Sequence, residues 1–588
     1  MDKYKWDLTK MFKSDKDFND TIDKINNLLE EIKRYKGRIF ESSNTLLEFL
    51  KLDNEIDMLV EKVYVYSYLG YYDNMSDNAF IKKKEQANNI LNISSSTRAF
   101  VTPEILSHDY EEAQKLLNEK KELETYKFTF EKLFREKEHI LSEKEEQLLS
   151  NASEIFGISK DAFGALDNVD IKLGNITDEN GKKIELTSSN YGNFLRSKNR
   201  SIRKTALIKG CKYYKDHINT LSALYRGKVK TNGFIAKTRK YNNILEMYLF
   251  DDNISTKLYD TLIKVTNKNA KYLQEYYYLK GKSLGYKPHI YDTYVNTSKM
   301  PSKDIPYEEA IEIINKALKP LGSEYLKEFN KILNSNSVDV YPKKAKRSGA
   351  YEWGSYLDSP YVSINYENNI NSVGTLAHEM GHAMHSHYSC TKQDYVNAEY
   401  PIFLAEIAST VNEVLLSDYL IKNSDNKDEK IFYLLESLDD FRGTVYRQVM
   451  FAEFESIIHK KYESGEAITK DLLCSTYYKL LKNQFGNSVV VDKIMENEWA
   501  KIPHFYTSFY VYKYATGYIS ALLIADKLEK DNNFKDKYIE FLSSGCSDYP
   551  LELLNKLGID LTDENTLENA FQLFDEKLKL LDKYMNGE

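Results

Sequence analysis

Residues 378 to 382 read His-Glu-Met-Gly-His. On an α-helix, positions i and i+4 lie on one face about 6 Å apart along the axis, so His378 and His382 can direct both imidazoles at one metal ion. Glu379 then stands beside that ion. Zinc takes nitrogen ligands at roughly 2.0–2.1 Å, and a catalytic zinc leaves one position to a water that a neighbouring carboxylate can deprotonate. Spacing and residue types therefore predict zinc-assisted hydrolysis, with Glu379 as general base. The competing reading is a structural helix in which two histidines fall four apart, in a chain with only 10 His among 588 residues. Against it, an apolar stripe of Val373, Leu376, Ala377, Met380, Ala383 and Met384 gives the helix a core face and leaves the His pair on its more polar side.

A third protein ligand is required. His385 stands at i+7 from His378, about 10.5 Å along an unbroken helix, too far for one ion to meet all three rings. Folds that use a third downstream His break the helix at a Gly three positions after the second His, and here that position is His385 itself. His387 points elsewhere, and Cys390 reaches the ion only if the helix ends sharply. Glu406 is the better candidate. From Leu404 to Ile421 the pattern is helical and mostly apolar, yet Glu406, Thr410, Glu413 and Ser417 recur at i, i+4, i+7 and i+11. Such a polar stripe faces either solvent or something charged. The second reading makes Glu406 a ligand and Glu413 a neighbour that orients a His.

Hydrolysis of a peptide develops negative charge on the carbonyl oxygen, and donors aimed at it are worth a few kcal/mol. The tract Trp499 to Tyr518 offers His504, Tyr510, Tyr514 and Tyr518, with Gly517 permitting close approach. Aromatics at this density also serve as core packing, and only the metal site lends them a catalytic reading.

The stretches Lys346–Tyr351, Pro360–Tyr366, Thr375–His382, Ala405–Ser409, Phe441–Gln448, Phe451–Glu455 and Ile502–Tyr506 together resemble the oligoendopeptidase F group, the bacterial branch of the thimet oligopeptidase family of zinc metallopeptidases. The likeness runs from Trp6-Asp-Leu-Thr-Lys to the end of the Tyr-rich tract. It implies His378, His382 and Glu406 as ligands of one Zn2+ per chain, Glu379 as general base, and His504 and Tyr510 near the scissile carbonyl. Tyr514 and Tyr518 compete for one further role, because this branch differs by one residue in length before Gly517. The implied activity is endopeptidase cleavage of short oligopeptides.

Elements that would position these groups are mainly helical. Periodicity and caps predict helices at about 15–35, 43–75, 78–98, 109–121, 127–151, 199–230, 255–283, 307–335, 372–389, 403–422, 428–462, 468–483, 504–528 and 563–584. Strand signals are confined to 169–187, with a hairpin turn at Glu179-Asn-Gly181, and to 351–366. The latter is a small β element next to the metal helix, which either pairs within its own sheet or adds an extended peptide by backbone hydrogen bonds. The fold expected is mainly α, two helical lobes around a substrate channel. An N-terminal lobe spans 1–115, a connecting region with a short hairpin 116–199, and the catalytic region 200–588.

Charged residues make up 29% and only 10 Pro and 24 Gly punctuate the chain, which suits long helices and a sizeable core. A net charge of -8 with dispersed Lys and Arg argues against nucleic-acid binding. The N-terminus lacks the apolar core of a signal peptide and no 18-residue apolar run occurs, so no membrane association and a cytoplasmic location are expected. Cys211, Cys390, Cys474 and Cys546 lack CxxC spacing and read as free thiols. The expected partners are oligopeptide substrates, with the oligomeric state undetermined. Two rival classes share the metal signature: a helical zinc carboxypeptidase, and a peptide-binding scaffold with a closed four-ligand structural metal.

Overall fold

With few helix breakers, the chain is 71% helical and only 3% strand in a computed structural model that describes residues 3–358 and 360–587. Met1 and Glu588, the outer ends of the expected lobes, lie outside the described residues. The mainly helical expectation holds, and several helices start where a side-chain cap dictates. Ser42 Oγ accepts from Thr45 N at the head of the Ser43–Asp73 helix, and Asn369 accepts from Ser372 N at the head of Ile370–Lys392.

Where the expected helices run too long, a polar side chain competes with the backbone. The 199–230 helix breaks at His217, whose Nδ1 lies 2.9 Å from Tyr213 O. The 255–283 helix breaks at Asn269, whose Nδ2 donates to Val265 O at 3.0 Å. Both residues reach back to the carbonyl four positions earlier, and both leave the helical region with ψ of 10°. The 127–151 helix divides into Lys127–Glu136 and Glu143–Asn151. The 428–462 helix continues through a π-helical turn at Arg442–Tyr446. The 504–528 helix starts only at Tyr512, after Phe509 has entered the left-handed region with φ 54°. Ser153–Asn168 and Phe534–Leu542, for which no helix was expected, are helical.

Two compact units share the chain, each assembled from three separated segments. The first comprises Met1–Glu138, Ser302–Tyr419 and Ile524–Gly558, the second His139–Pro301, Leu420–Leu523 and Ile559–Glu588. The linear division at 115 and 199 differs from this, because long-range contacts join segments that composition cannot associate. In the second unit, strands β1 (Asn175–Thr177) and β2 (Lys183–Glu185) form the expected hairpin. Asp178 Oδ1 caps its turn by accepting from Asn180 N and Lys182 N, and Gly181 takes φ 79°. Arg203 and Asp292, 1% and 0% exposed, pair at 2.6 Å in its interior.

The first unit holds a three-stranded sheet in the order β3-β5-β4. Strand β3 (Val338–Asp339) runs parallel to β5 (Tyr361–Ser363), and β4 (Tyr351–Trp353) pairs antiparallel with β5, setting Glu352 opposite Val362. Strand β4 is therefore an edge, and it packs on the Ile370–Lys392 helix. Residues near the N-terminus fasten the sheet: Val340 N donates to Tyr4 O at 3.0 Å, Asp7 N to Asn336 O at 2.7 Å, and Trp6 meets Tyr361 edge-on at 6.1 Å.

Lys346 fixes the approach to β4. Its buried ammonium pairs with Asp339 at 2.9 Å and also donates to the carbonyls of Asp339, Tyr341 and Ile364. Burial pushes the Asp339 carboxyl up and the Lys346 ammonium down even so, the mark of a pair whose desolvation is only just offset. Lys346→Met alone is expected to cost about 3–5 kcal/mol by stranding a buried carboxylate, and Asp339→Leu added to it should recover much of the loss. Urea unfolding of the single and double variants checks this.

Candidate metal centre

The helix Ile370–Lys392 carries the His-Glu-Met-Gly-His segment, and its apolar stripe is buried as the spacing requires: Val373, Leu376, Ala377, Met380, Ala383 and Met384 are all 0% exposed. Gly381 faces the helix Ile402–Asn423 at backbone distance. A Cβ at this position would stand 2.6 Å from Ser409 Cα and 2.7 Å from Ala408 O. Only glycine opposite small residues permits that crossing. Buried Asn412 then staples the two helices by donating to Ala377 O at 3.0 Å.

The crossing sets Glu406 against the His pair. His378 Nε2 and His382 Nε2 are 3.2 Å apart, and Glu406 Oε2 lies 3.6 Å from the first and 3.5 Å from the second. These three atoms are the one metal-competent group of His, Cys, Asp and Glu ligands among the described residues. Four ligands held tetrahedrally at roughly 2.0–2.1 Å stand about 3.3–3.4 Å from one another, so the triangle fits a zinc ion. Ser409 Oγ holds the Glu406 carboxylate at 3.2 Å, and Glu413 Oε1 lies 3.1 Å from His378 Nδ1, the nitrogen turned away from the triangle. Two of the remaining ligand candidates are engaged elsewhere. His385 is buried and stacked on Tyr400 at 3.6 Å, with its pKa lowered to about 3 by burial, so it stays neutral. His387 lies 3.5 Å from Glu328.

Electrostatics around the triangle favour a cation. Burial draws His378 down, but Glu413, with Glu379 and Glu406 behind it, outweighs this and holds the imidazole up at about 9. Glu406 is held down at about 2, chiefly by His382. Burial raises the Glu379 carboxyl against the pull of both histidines, as suits a base that must both take and release a proton.

His504, Tyr510 and Tyr514 lie together in the second unit: the Tyr514 ring meets His504 at 5.9 Å and Tyr510 at 5.3 Å, both edge-on. Tyr518 packs separately, edge-on to Phe441 at 5.8 Å. Burial lowers the pKa of His504. The tract is clamped next to Tyr510, where buried Glu455 accepts from the left-handed Phe509 N at 2.9 Å and Asn232 Nδ2 donates to Ser508 Oγ at 2.9 Å.

Periodicity alone did not reveal Gly381, Ser409 or Asn412 as builders of the site. The signal was present as small residues, Gly381 in one helix and Ala408-Ser409 in the other.

The chain is also similar to known proteins over most of its length. Residues 193–573 match peptidase family M3, and residues 104–172 match oligopeptidase F. The chain is 38% identical over 582 residues to oligopeptidase PepF of Bacillus subtilis, covering 99% of this chain and 87% of that protein. It is also 38% identical over 584 residues to an oligoendopeptidase F homolog of Borreliella burgdorferi, covering 98% of each. Among solved structures, oligoendopeptidase-F of Enterococcus faecium superposes with a TM-score of 0.74 at 29% identity, over 98% of this chain and 100% of that one. A Chlamydophila abortus chain does so with a TM-score of 0.93 at 34% identity, over 99% and 98%.

Gly381→Ala is expected to force the helices apart, costing about 1–3 kcal/mol of stability and most of the metal affinity. Denaturant unfolding and metal content after dialysis check both. Because His378 is raised from 6.5 to about 9, its contribution to the stability of the metal-free protein is fully present below pH 6.5 and lost as pH rises through 9. Melting of chelated protein across that window should show a fall that His378→Gln abolishes.

Proposed function

The chain belongs to peptidase family M3, and from that premise we propose that it is a zinc-dependent endopeptidase cutting internal bonds of short oligopeptides. The observation that carries this reading is the triangle of His378, His382 and Glu406 with Glu379 between the two histidines on the same helix. Zinc, when bound, supplies Lewis acidity that lowers the pKa of water and polarises a carbonyl. His378, His382 and Glu406 would hold it, with Glu413 orienting His378. Glu379 takes a proton from the attacking water and gives it to the leaving amine. His504 and Tyr510 are the donors assigned to the developing oxyanion, and the contact of the Tyr514 ring with both favours Tyr514 over Tyr518 as the third. The free edge of β4 is suited to binding an extended peptide through backbone hydrogen bonds, which would accommodate many sequences. Among the described residues no helix is long and apolar enough to cross a membrane.

Cleavage of an internally quenched peptide blocked at both ends should be abolished by a chelator and restored by zinc, with internal fragments identified by mass. Release of single C-terminal residues would instead mark a carboxypeptidase. Glu379→Gln should keep its zinc and lose about 10²–10⁴ of kcat/KM. His382→Ala should lose the metal, and Glu413→Gln should weaken it by about 10–100-fold in chelator competition.

A further inference from the structure

Within the first unit lies a cavity of about 1150 Å³. Its wall is built by the Ser43–Asp73 helix, the Lys127–Glu136 helix, strand β4 with the loop after it, and the C-terminal half of the metal helix. Ser386, one turn beyond His382, belongs to that wall, so the cavity adjoins the metal centre. Seven carboxylates line it, against a single lysine, Lys132, and no arginine.

Part of this negative charge is already matched. Arg98 bonds Asp53 at 2.9 Å and also Asp57, and Lys62 stands 3.3 Å from Asp358. Glu61 and Glu352 have no Lys or Arg partner among the described residues. Glu61 accepts one backbone bond, from Tyr356 N at 3.2 Å, which fixes it at the exit of β4. Glu352 Oε2 accepts from Ser386 Oγ at 3.3 Å, while its Oε1 is buried and meets no donor among the described residues. Burial holds each of these carboxyls up at about 7. The Cys390 thiol feels both of them: burial first, then the charges of Glu61 and Glu352, push it up to about 12. The two carboxylates thus share one neighbourhood in the cavity wall.

A buried acceptor oxygen without a donor, as at Glu352 Oε1, is costly, and two half-buried carboxylates with neither Lys nor Arg beside them add to that cost. An apolar group entering the cavity would leave that cost in place, and a neutral donor would meet the acceptor without matching the charge. A cation would remove it, and a peptide brings cations of two kinds, side-chain ammonium or guanidinium and the free amino terminus. We propose that this cavity is a subsite for a cationic group of the bound peptide, with Glu61 and Glu352 as its acceptors, which makes peptides carrying that charge the favoured substrates. This inference rests on the peptidase reading above.

The test is kcat/KM for internally quenched peptides of one length. One lysine is moved through an otherwise neutral sequence, and each peptide is made with a free and with an acetylated amino terminus. One lysine position, or the free terminus, should exceed the neutral acetylated peptide by about tenfold. A preference that survives acetylation assigns the side chain, and one lost on acetylation assigns the terminus. In Glu61→Gln/Glu352→Gln the ratio of cationic to neutral peptide should fall to about one, and each isosteric single variant should lower it part of the way. Equal rates across the set in the wild type would overturn the subsite while leaving the peptidase reading intact, and so would a ratio unmoved in the double variant. No cleavage of any peptide with zinc supplied would remove both.

Discussion

The near-contact of two helix backbones at Gly381 is the constraint on which the rest of the site depends. A metal ligand contributed from a second helix must reach within a few ångströms of the first, and a carboxylate side chain is short. The reach of Glu406 is achieved by bringing backbone to backbone, with Ser409 Cα where the Gly381 side chain would be. The same crossing buries Asn412 against the Ala377 carbonyl, which Ala or Leu in its place would leave without that donor. Packing and chemistry are therefore one requirement here, because any residue that widens the crossing also moves a ligand.

Charge follows from that geometry. Three carboxylates, Glu379, Glu406 and Glu413, surround two imidazoles, and each histidine faces at least one of them. Such a cluster is unstable unless something positive completes it. The raised pKa of His378 is one expression of that demand. The excess of carboxylates continues past Ser386 into the neighbouring cavity, where Glu352 and Glu61 have no Lys or Arg partner among the described residues. Strand β4 connects the two regions, since Glu352 belongs to it and the strand packs on the metal helix.

Much of this was legible in the chain itself. The predominance of helices, the buried stripe of the helix Ile370–Lys392 and the polar stripe that includes Glu406 follow from local rules of spacing and polarity. Failures of that reading are local as well. At His217 and Asn269 a side chain bonds back to the carbonyl four residues earlier, and the helix ends in mid-pattern. At Phe509 a left-handed residue is kept in place by Glu455, a carboxylate 54 positions upstream that gives no sign of its role in hydrophobic periodicity.

By itself, then, the sequence determined the metal-binding pattern, the helical character and the family resemblance, because an i, i+4 pair and an apolar stripe are properties of a single helix. Tertiary structure alone decided which segments form one unit, how closely two helices approach, and which carboxylates find partners. Trp6 packing on Tyr361, Ala408 facing Gly381 and Ser386 donating to Glu352 are relations between residues far apart in the chain. Burial and close contact are set jointly by all the segments that surround a residue, and no window of sequence contains them.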